Sequence, residues 1–279
     1  MPELPEVETI VRALEKAVLG VDIIKSSVYC NKFRVKTPDD FCKRIDGAKI
    51  VRVRRIAKYI VVDLDNGESI IWHLGMSGRI KFIQDKNAPL EKHDHVVIET
   101  DKINLVYNDA RRFGLIIVVK TKDVESHSLL SRIGFDPFDE NLTAEYLYEK
   151  LQGKSIPIKV ALLDQTIING IGNIYASEAL FLAQVLPTRE SKNVSLKECE
   201  KIIEAVRITL EKAIKAGGST LRDYKKPDGS MGYFQNMHCV YNKSGQQCSE
   251  CICDIRKTGG VQKIVQAGRS TFYCSTLQK

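Results

Sequence analysis

No apolar run in the chain reaches the roughly 18 residues of a membrane span, which excludes a transmembrane helix on length. The Met1-Pro2-Glu3 start lacks the basic region and apolar core of a secretory signal, so a cytoplasmic, reducing setting is expected. Internal repeats and low-complexity tracts are also missing, which leaves neither a solenoid nor a long solvated tail. Acidic residues are the scarcer charge, 35 against 42 Lys and Arg, for a net charge of +7. That excess suits a polyanionic partner. What is present is an ordinary globular composition: 279 residues, 43% hydrophobic, enough to bury two cores of domain size.

The first residues carry the most chemistry. Removal of Met1 would leave Pro2 with a free secondary amine. An α-amino group titrates near 7.7–8.0, about, so part of it is unprotonated at neutral pH. Such an amine can attack a carbonyl-like carbon to give a cationic iminium, which acidifies a neighbouring C–H. Glu3 and Glu6 flank it as candidate acid and base. From Pro5 the apolar positions Val7, Ile10, Val11, Leu14 and Val18 predict an amphipathic helix, with Gly20 as its stop.

Short β runs follow. Tyr59–Leu64 and Ser69–Leu74 flank Asp65-Asn66-Gly67-Glu68, a hairpin signal, and further strands are expected at 79–83, 96–100, 104–107 and 115–120. Strands without interleaved helices predict a β-sandwich or barrel over 1–130. A Gly/Pro/Asp-rich stretch over 131–143 reads as a linker. Helices are expected at 144–151, 158–163, 174–184 and 196–216, the last introduced by a Ser195/Glu198 capping box. The tail, 233–279, reads as a small β-like region. The fold class expected is therefore multidomain α+β.

Several turns carry candidate binding groups. Lys58 opens a strand, where a cation beside the terminal amine would hold its pKa down. His73 leads into a glycine-rich turn with Met76 near its tip. Asp109-Ala110-Arg111-Arg112-Phe113-Gly114 pairs cations with an aromatic ring, which suits gripping phosphate and pressing between bases. His93 and His95 alternate on an expected strand without a third ligand nearby, so phosphate contact or structure is expected there. Gly170-Ile171-Gly172-Asn173 before a helix, with Lys154 and Lys159 nearby, reads as a phosphate-binding helix start. Of eight cysteines, Cys30, Cys42 and Cys199 are scattered, while Cys239, Cys248, Cys251, Cys253 and Cys274 crowd the tail. Clustering in a reducing compartment points to metal. Zinc wants four ligands, and the second half-site ends at Leu277 with a single cysteine.

These pieces, in this order, resemble the bacterial formamidopyrimidine-DNA glycosylase family. The similarity runs over essentially the whole chain: Pro2 to Thr9, Ala57-Lys58-Tyr59, His73 to Gly78, Lys92 to His95, Arg111 to Gly114, Asn173 to Glu178, Gly217 to Thr220, and Ala267 to Thr271. The resemblance implies a β-sandwich, a helix–two-turn–helix domain over 144–232, and a zinc-finger-like hairpin. It implies a bifunctional DNA glycosylase and abasic-site lyase of base excision repair, acting on 8-oxoguanine and formamidopyrimidines. The partner would be double-stranded DNA with oxidised bases or abasic sites, met by a monomer. Pro2 would be the Schiff-base nucleophile at C1′ and Glu3 the acid on the ring oxygen. Lys58 would assist β-elimination and Arg269 δ-elimination. His93, Arg111, Lys154 and Asn173 would touch DNA, while Met76, Arg111 and Phe113 would fill the gap left by the extruded base. A segment near Arg222–Gly232 would recognise the lesion. The rival readings are a sister glycosylase for oxidised pyrimidines and a non-catalytic lesion-binding protein.

This chain departs from the family's pattern at Leu277, where a fourth zinc cysteine is expected. The interval between Cys251 and Cys274 is long, Ile252 replaces a glycine, and Asn169 replaces a small apolar residue. One structural zinc on Cys248, Cys251 and Cys274 is the expectation, with Cys253, Cys239 or His238 as possible substitutes for the missing ligand.

Overall fold

The structure, a computed structural model, describes residues 1–85, 87–219, 231–252 and 254–279. Cys253 and all but the last two residues of the expected lesion-recognition segment 222–232 lie outside them. By packing, the chain divides into two compact units: Met1–Arg132 with Ala216–Tyr233, and Ile133–Lys215 with Phe234–Lys279.

The first unit begins with α1 (Leu4–Val18), whose buried stripe Leu4, Val7, Ile10, Val11, Leu14 and Val18 follows the 3.6-residue period. Then come β1 (Ile23–Val28), a short α2 (Phe41–Ile45), β2 (Ile50–Ile56), β3 (Tyr59–Leu64), β4 (Glu68–His73), β5 (Arg79–Ile83), β6 (Asp94–Thr100), β7 (Asn104–Asn108) and β8 (Leu115–Lys120). They form two antiparallel four-stranded sheets, ordered β1-β6-β7-β5 and β2-β3-β4-β8. Ile23, Val96, Leu105 and Tyr107 of one sheet share a core with Ile50, Ile60, Trp72 and Ile116 of the other, and with α1. That is the expected sandwich.

Sequence reading finds β3 to β8 and leaves out β1, α2 and β2. The reason is local. Register shifts at Ile23/Lys25 and Ile50/Arg52 break the period-two alternation that betrays a strand. The Asn66-Gly67 turn of the β3–β4 hairpin needs its glycine, whose φ is 77°.

The second unit holds α3 (Ala144–Leu151), α4 (Ile158–Leu162), α5 (Asn173–Leu182) and α6 (Leu196–Lys215), then α7 (Ile255–Thr258) and the hairpin β9 (Gln262–Gln266) and β10 (Arg269–Tyr273). The Ser195/Glu198 box caps α6 reciprocally, Ser195 N–H donating at 2.9 Å and Glu198 N–H returning at 3.3 Å. The three expected regions differ from this packing in two places. Segment 216–219 belongs with the sandwich, because the Ser219 N–H donates to Glu6 at 2.8 Å. The tail belongs with the helices, because the buried Glu178 carboxylate of α5 accepts the N–H groups of Cys239, Val240 and Tyr241 at 2.6, 3.0 and 2.7 Å.

Candidate active site

Glu3 and Pro2 are buried at the head of α1, while Met1 is 56% exposed. Glu6 fixes this head. One of its oxygens accepts the Glu3 N–H at 2.8 Å, and the other accepts the Ser219 N–H at 2.8 Å. Gly218 is required there: its φ is +79°, and a Cβ would stand 2.8 Å from the Glu6 carboxylate. One turn on, Glu8 pairs with Arg55 of β2 at 2.9 Å, and Arg55 donates to the Ala57 carbonyl at 3.2 Å. Burial pushes the Glu8 carboxyl up, but hydrogen bonds from Arg12 and Arg55 outweigh it and hold the group below its ordinary value. Lys58 follows the left-handed Ala57 and is itself buried. A buried ammonium at the β2–β3 turn is not the solvated surface charge that a lysine at a strand start usually is.

His73, closing β4, is pushed down to about 3, first by burial and then by the positive charges of Arg34 and Lys58. It is a neutral imidazole, whose Nδ1 accepts the Gly75 N–H at 3.0 Å. Beyond it Met76 stands 41% exposed. Phe113 is 48% exposed, and the Arg111 guanidinium lies over its ring at 4.6 Å. The two turns meet backbone to backbone, since a Cβ on Gly75 would fall 2.4 Å from the Gly114 nitrogen. Beneath them the Tyr107 hydroxyl donates to the His73 carbonyl at 3.1 Å. Burial, reinforced by the Asp109 charge, raises that phenol well above its ordinary pKa and keeps it protonated.

His93 and His95 stand with their rings edge-on, centroids 6.1 Å apart, although His93 lies outside the strand that alternation implies. His93 precedes β6 with a φ of 78°, the register shifts between Asp94 and Val96, and His95 Nε2 is bonded to the Asp109 carbonyl at 3.0 Å. His93 remains half-buried.

In the second unit Arg269 is exposed beside the Ala267-Gly268 turn of the hairpin, with both turn residues at positive φ, and Lys154 is half-buried. Lys159 corrects the expectation of a phosphate-facing cation. It is buried, and its ammonium donates to Asn173 Oδ1 at 2.6 Å, Thr271 Oγ1 at 2.7 Å and the Ser270 carbonyl at 3.1 Å. Asn173 Nδ2 also donates to Ser270 O at 2.9 Å and to Tyr241 at 3.2 Å. The pair therefore straps the residue after Arg269 to the start of α5. Asn169 donates to the Gly134 carbonyl at 2.9 Å, a structural use for a side chain out of the family's pattern.

Cys248, Cys251 and Cys274 bring their sulfurs within 3.1, 3.6 and 3.7 Å of one another. Thiolates on a tetrahedral zinc sit about 3.8 Å apart, from a bond of about 2.3 Å, so this donor set fits three corners of a metal site. Burial raises the Cys248 thiol, yet hydrogen bonds from Cys251 and nearby N–H groups outweigh it and favour the thiolate. Among the described residues, neither Cys239 nor His238 joins the group. His238 is instead stacked edge-on between Phe234 and Tyr241. Leu277 packs against the apolar cluster around these thiols.

Glu6, expected as an acid or base beside the terminal amine, instead spends its two oxygens on the Glu3 and Ser219 N–H groups. Tyr107 and the part played by Asp109 stand out only in the folded chain, because their partners lie on strands far apart in sequence.

A β-sandwich headed by a proline–glutamate pair, with a helical domain ending in a β-hairpin beside a cluster of three cysteines, is an architecture that known proteins share. Residues 1–116 match the formamidopyrimidine-DNA glycosylase N-terminal domain and residues 133–225 the formamidopyrimidine-DNA glycosylase H2TH domain. The chain belongs to the formamidopyrimidine-DNA glycosylase family. A relative from Roseobacter denitrificans is 41% identical over 288 residues, covering 100% of both chains. Among solved structures, a Lactococcus lactis point mutant in complex with DNA containing Fapy-dG superposes with a TM-score of 0.90 at 35% identity, covering 100% of both chains. The wild-type Lactococcus lactis protein with DNA containing an oxidised pyrimidine gives 0.89 at 34%, again covering 100% of both. A complex of that protein with abasic-site DNA gives 0.90 at 35%, covering 99% of both. Among the described residues no helix is long and apolar enough to cross a membrane.

Proposed function

We propose that this protein is a DNA glycosylase of base excision repair that removes oxidised purines, 8-oxoguanine and formamidopyrimidines, and then nicks the strand as an abasic-site lyase. The observation that carries the reading is the buried Pro2–Glu3 head of α1, pinned by Glu6, in a family member that matches its relative over 100% of both chains. After loss of Met1 the Pro2 nitrogen bonds to the sugar C1′ as the bond from C1′ to the base breaks and the base leaves with a proton. Glu3 protonates the ring oxygen as the sugar opens, leaving the C1′ iminium. Loss of a C2′ proton expels the 3′ phosphate with help from Lys58, and a second elimination, assisted by Arg269, expels the 5′ phosphate. His93, Arg111 and Lys154 act on the DNA backbone and bases, and Asn173, whose side chain is held by Lys159, Ser270 and Tyr241, does so through its main-chain N–H at the start of α5. Met76, Arg111 and Phe113 occupy the space of the extruded base, offsetting the few kcal/mol of lost stacking and pairing. A zinc ion on Cys248, Cys251 and Cys274 would brace the hairpin and takes no part in these steps. Cytoplasmic location and a monomeric state belong to the same proposal.

The test is chemical. Incubation with an abasic or 8-oxoguanine duplex and borohydride should trap a covalent adduct at Pro2, and Met1 should be missing by mass spectrometry. Acylation of the terminal amine should abolish the adduct. Binding without adduct or nick would leave only the lesion-binding reading. The oxidised-pyrimidine complex of the Lactococcus lactis relative favours a second substrate class, and a panel of both lesion types decides which is cleaved faster.

A further inference from the structure

Asp109 occupies a position that neither the covalent chemistry nor DNA contact explains. It is fully buried just after β7, yet among the described residues no lysine or arginine side chain is hydrogen-bonded to its carboxylate. One oxygen accepts from Ser77 Oγ at 2.7 Å and from the Arg111 N–H at 3.3 Å. The other accepts from the Gly114 N–H at 2.9 Å and from the Tyr107 hydroxyl at 3.4 Å. Its backbone joins in: its N–H donates to the His93 carbonyl at 3.1 Å, while its carbonyl accepts from the Arg112 N–H at 3.3 Å and meets His95 Nε2 at 3.0 Å. One side chain therefore reaches the turn of Met76 through Ser77 and brackets the turn of Arg111 and Phe113 at both ends.

We infer that Asp109 is a positioning residue for base extrusion: its carboxylate locks the Met76 turn and the Arg111–Phe113 turn into a single preformed wedge. The inference rests on the reading of those three residues as gap-fillers. Ordering a free backbone costs conformational entropy at every residue fixed, so two loose turns would consume what the wedge returns. Extrusion itself costs stacking and pairing. A wedge helps only if it is ordered beforehand. Only a carboxylate serves at this position. It offers acceptors on both oxygens, and the Arg111 and Gly114 N–H groups cannot reverse their polarity. In Asp109→Asn one oxygen becomes a donor facing one of those N–H groups, and the turn on that side is released. Ser77 could turn its hydroxyl to accept; the backbone cannot.

The experiment separates extrusion from covalent chemistry. A duplex with 8-oxoguanine opposite cytosine and 2-aminopurine beside the lesion reports unstacking, and excision is read in single turnover. A preformed abasic duplex with borohydride reports the chemistry without extrusion of a base. Asp109→Asn should lower the unstacking amplitude and lesion excision about 10-fold or more, the scale of an unsatisfied buried donor. Adduct formation on the abasic duplex should change less than about threefold. Ser77→Ala, at a half-buried position, cuts the link from Asp109 to the Met76 turn together with the Arg111 N–H bond to Ser77 Oγ at 3.3 Å, leaves the Gly114 side in place, and serves if Asp109→Asn does not fold. It should lower the same amplitude, and its effect should not add to that of Asp109→Asn. Excision and unstacking within twofold of wild type, or an equal fall in excision and in abasic adduct, would overturn the inference. Met76→Ala and Phe113→Ala are the controls. If they leave unstacking intact, the wedge reading fails and Asp109 has nothing to position.

Discussion

His73 shows how a single buried group writes a pH dependence into the fold. Its folded pKa of about 3 lies below the ordinary 6.5, so below pH 6.5 the unfolded chain takes up a proton that the folded chain refuses. Stability is then fully present above pH 6.5 and is lost as pH falls towards 3, at ~1.4 kcal/mol per unit from this residue. His238, lowered chiefly by burial, acts in the same direction in the second unit. The carboxyls of Glu8, Glu68, Asp94 and Glu198, all held low, add their loss only near and below about pH 4.5. The interval from pH 6.5 to 5 therefore belongs to histidine. His73→Asn keeps an acceptor for the Gly75 N–H and cannot titrate. Its melting temperature should fall less than that of wild type between pH 7 and pH 5, measured by calorimetry; an unchanged slope refutes the assignment. At this scale the sequence was legible in placement, with Pro2 and Glu3 at the head of a helix and Arg111 on an exposed turn, while their chemistry belongs to the proposed function. It was silent where a role is made by remote partners. Lys159 reads as a free cation until Asn173, Ser270 and Thr271 are seen around it.

At the level of elements, the hairpin of β9 and β10 has two separate attachments. One is the thiol cluster of Cys248, Cys251 and Cys274. The other is the strap of Lys159 and Asn173 to Ser270 and Thr271, backed by Glu178 on the chain over 239–241. A three-thiolate site with Leu277 at the fourth place should release its metal to a chelator more readily than a four-cysteine finger. Chelation should leave amide protection over 262–273 largely intact, because the strap does not involve the thiols. Lys159→Met leaves Thr271 Oγ1 and Asn173 Oδ1 short of a donor, at about 1–3 kcal/mol for each group left unpaired, while Ser270 O keeps only Asn173 Nδ2 of its two donors in the strap. That variant should lose the protection even with metal bound. Hydrogen exchange distinguishes the two, and loss of protection on chelation alone would make metal the main attachment. The elements themselves were legible wherever periodicity ran unbroken, as in α1, α6 and β3–β4. They were hidden where a bulge reset the alternation, as at β1 and β2.

For the molecule as a whole, the net charge of +7 sets a long-range attraction to DNA that salt must weaken. Affinity for undamaged duplex should fall linearly in log–log terms with salt. Arg111→Ala and Lys154→Ala should each reduce the slope by about 1, if each neutralises one phosphate. Lys159→Ala should leave the slope unchanged, since its buried ammonium is committed to protein oxygens. Fluorescence anisotropy across a salt series reads all three. The division of labour among regions was less legible than the fold. The segment at 216–219 declares its place through Glu6, more than two hundred residues upstream.

The contact of Gly75 against Gly114 limits how such a protein can be changed. Because the two turns touch main chain to main chain, neither can be lengthened, shortened or recoiled without displacing the other. Under the proposed function, altering how the gap of an extruded base is filled is then a matter of swapping the outermost side chains, Met76 and Phe113, on a frame that stays as it is. Grafting a new loop on one side alone would break the frame before it could read anything.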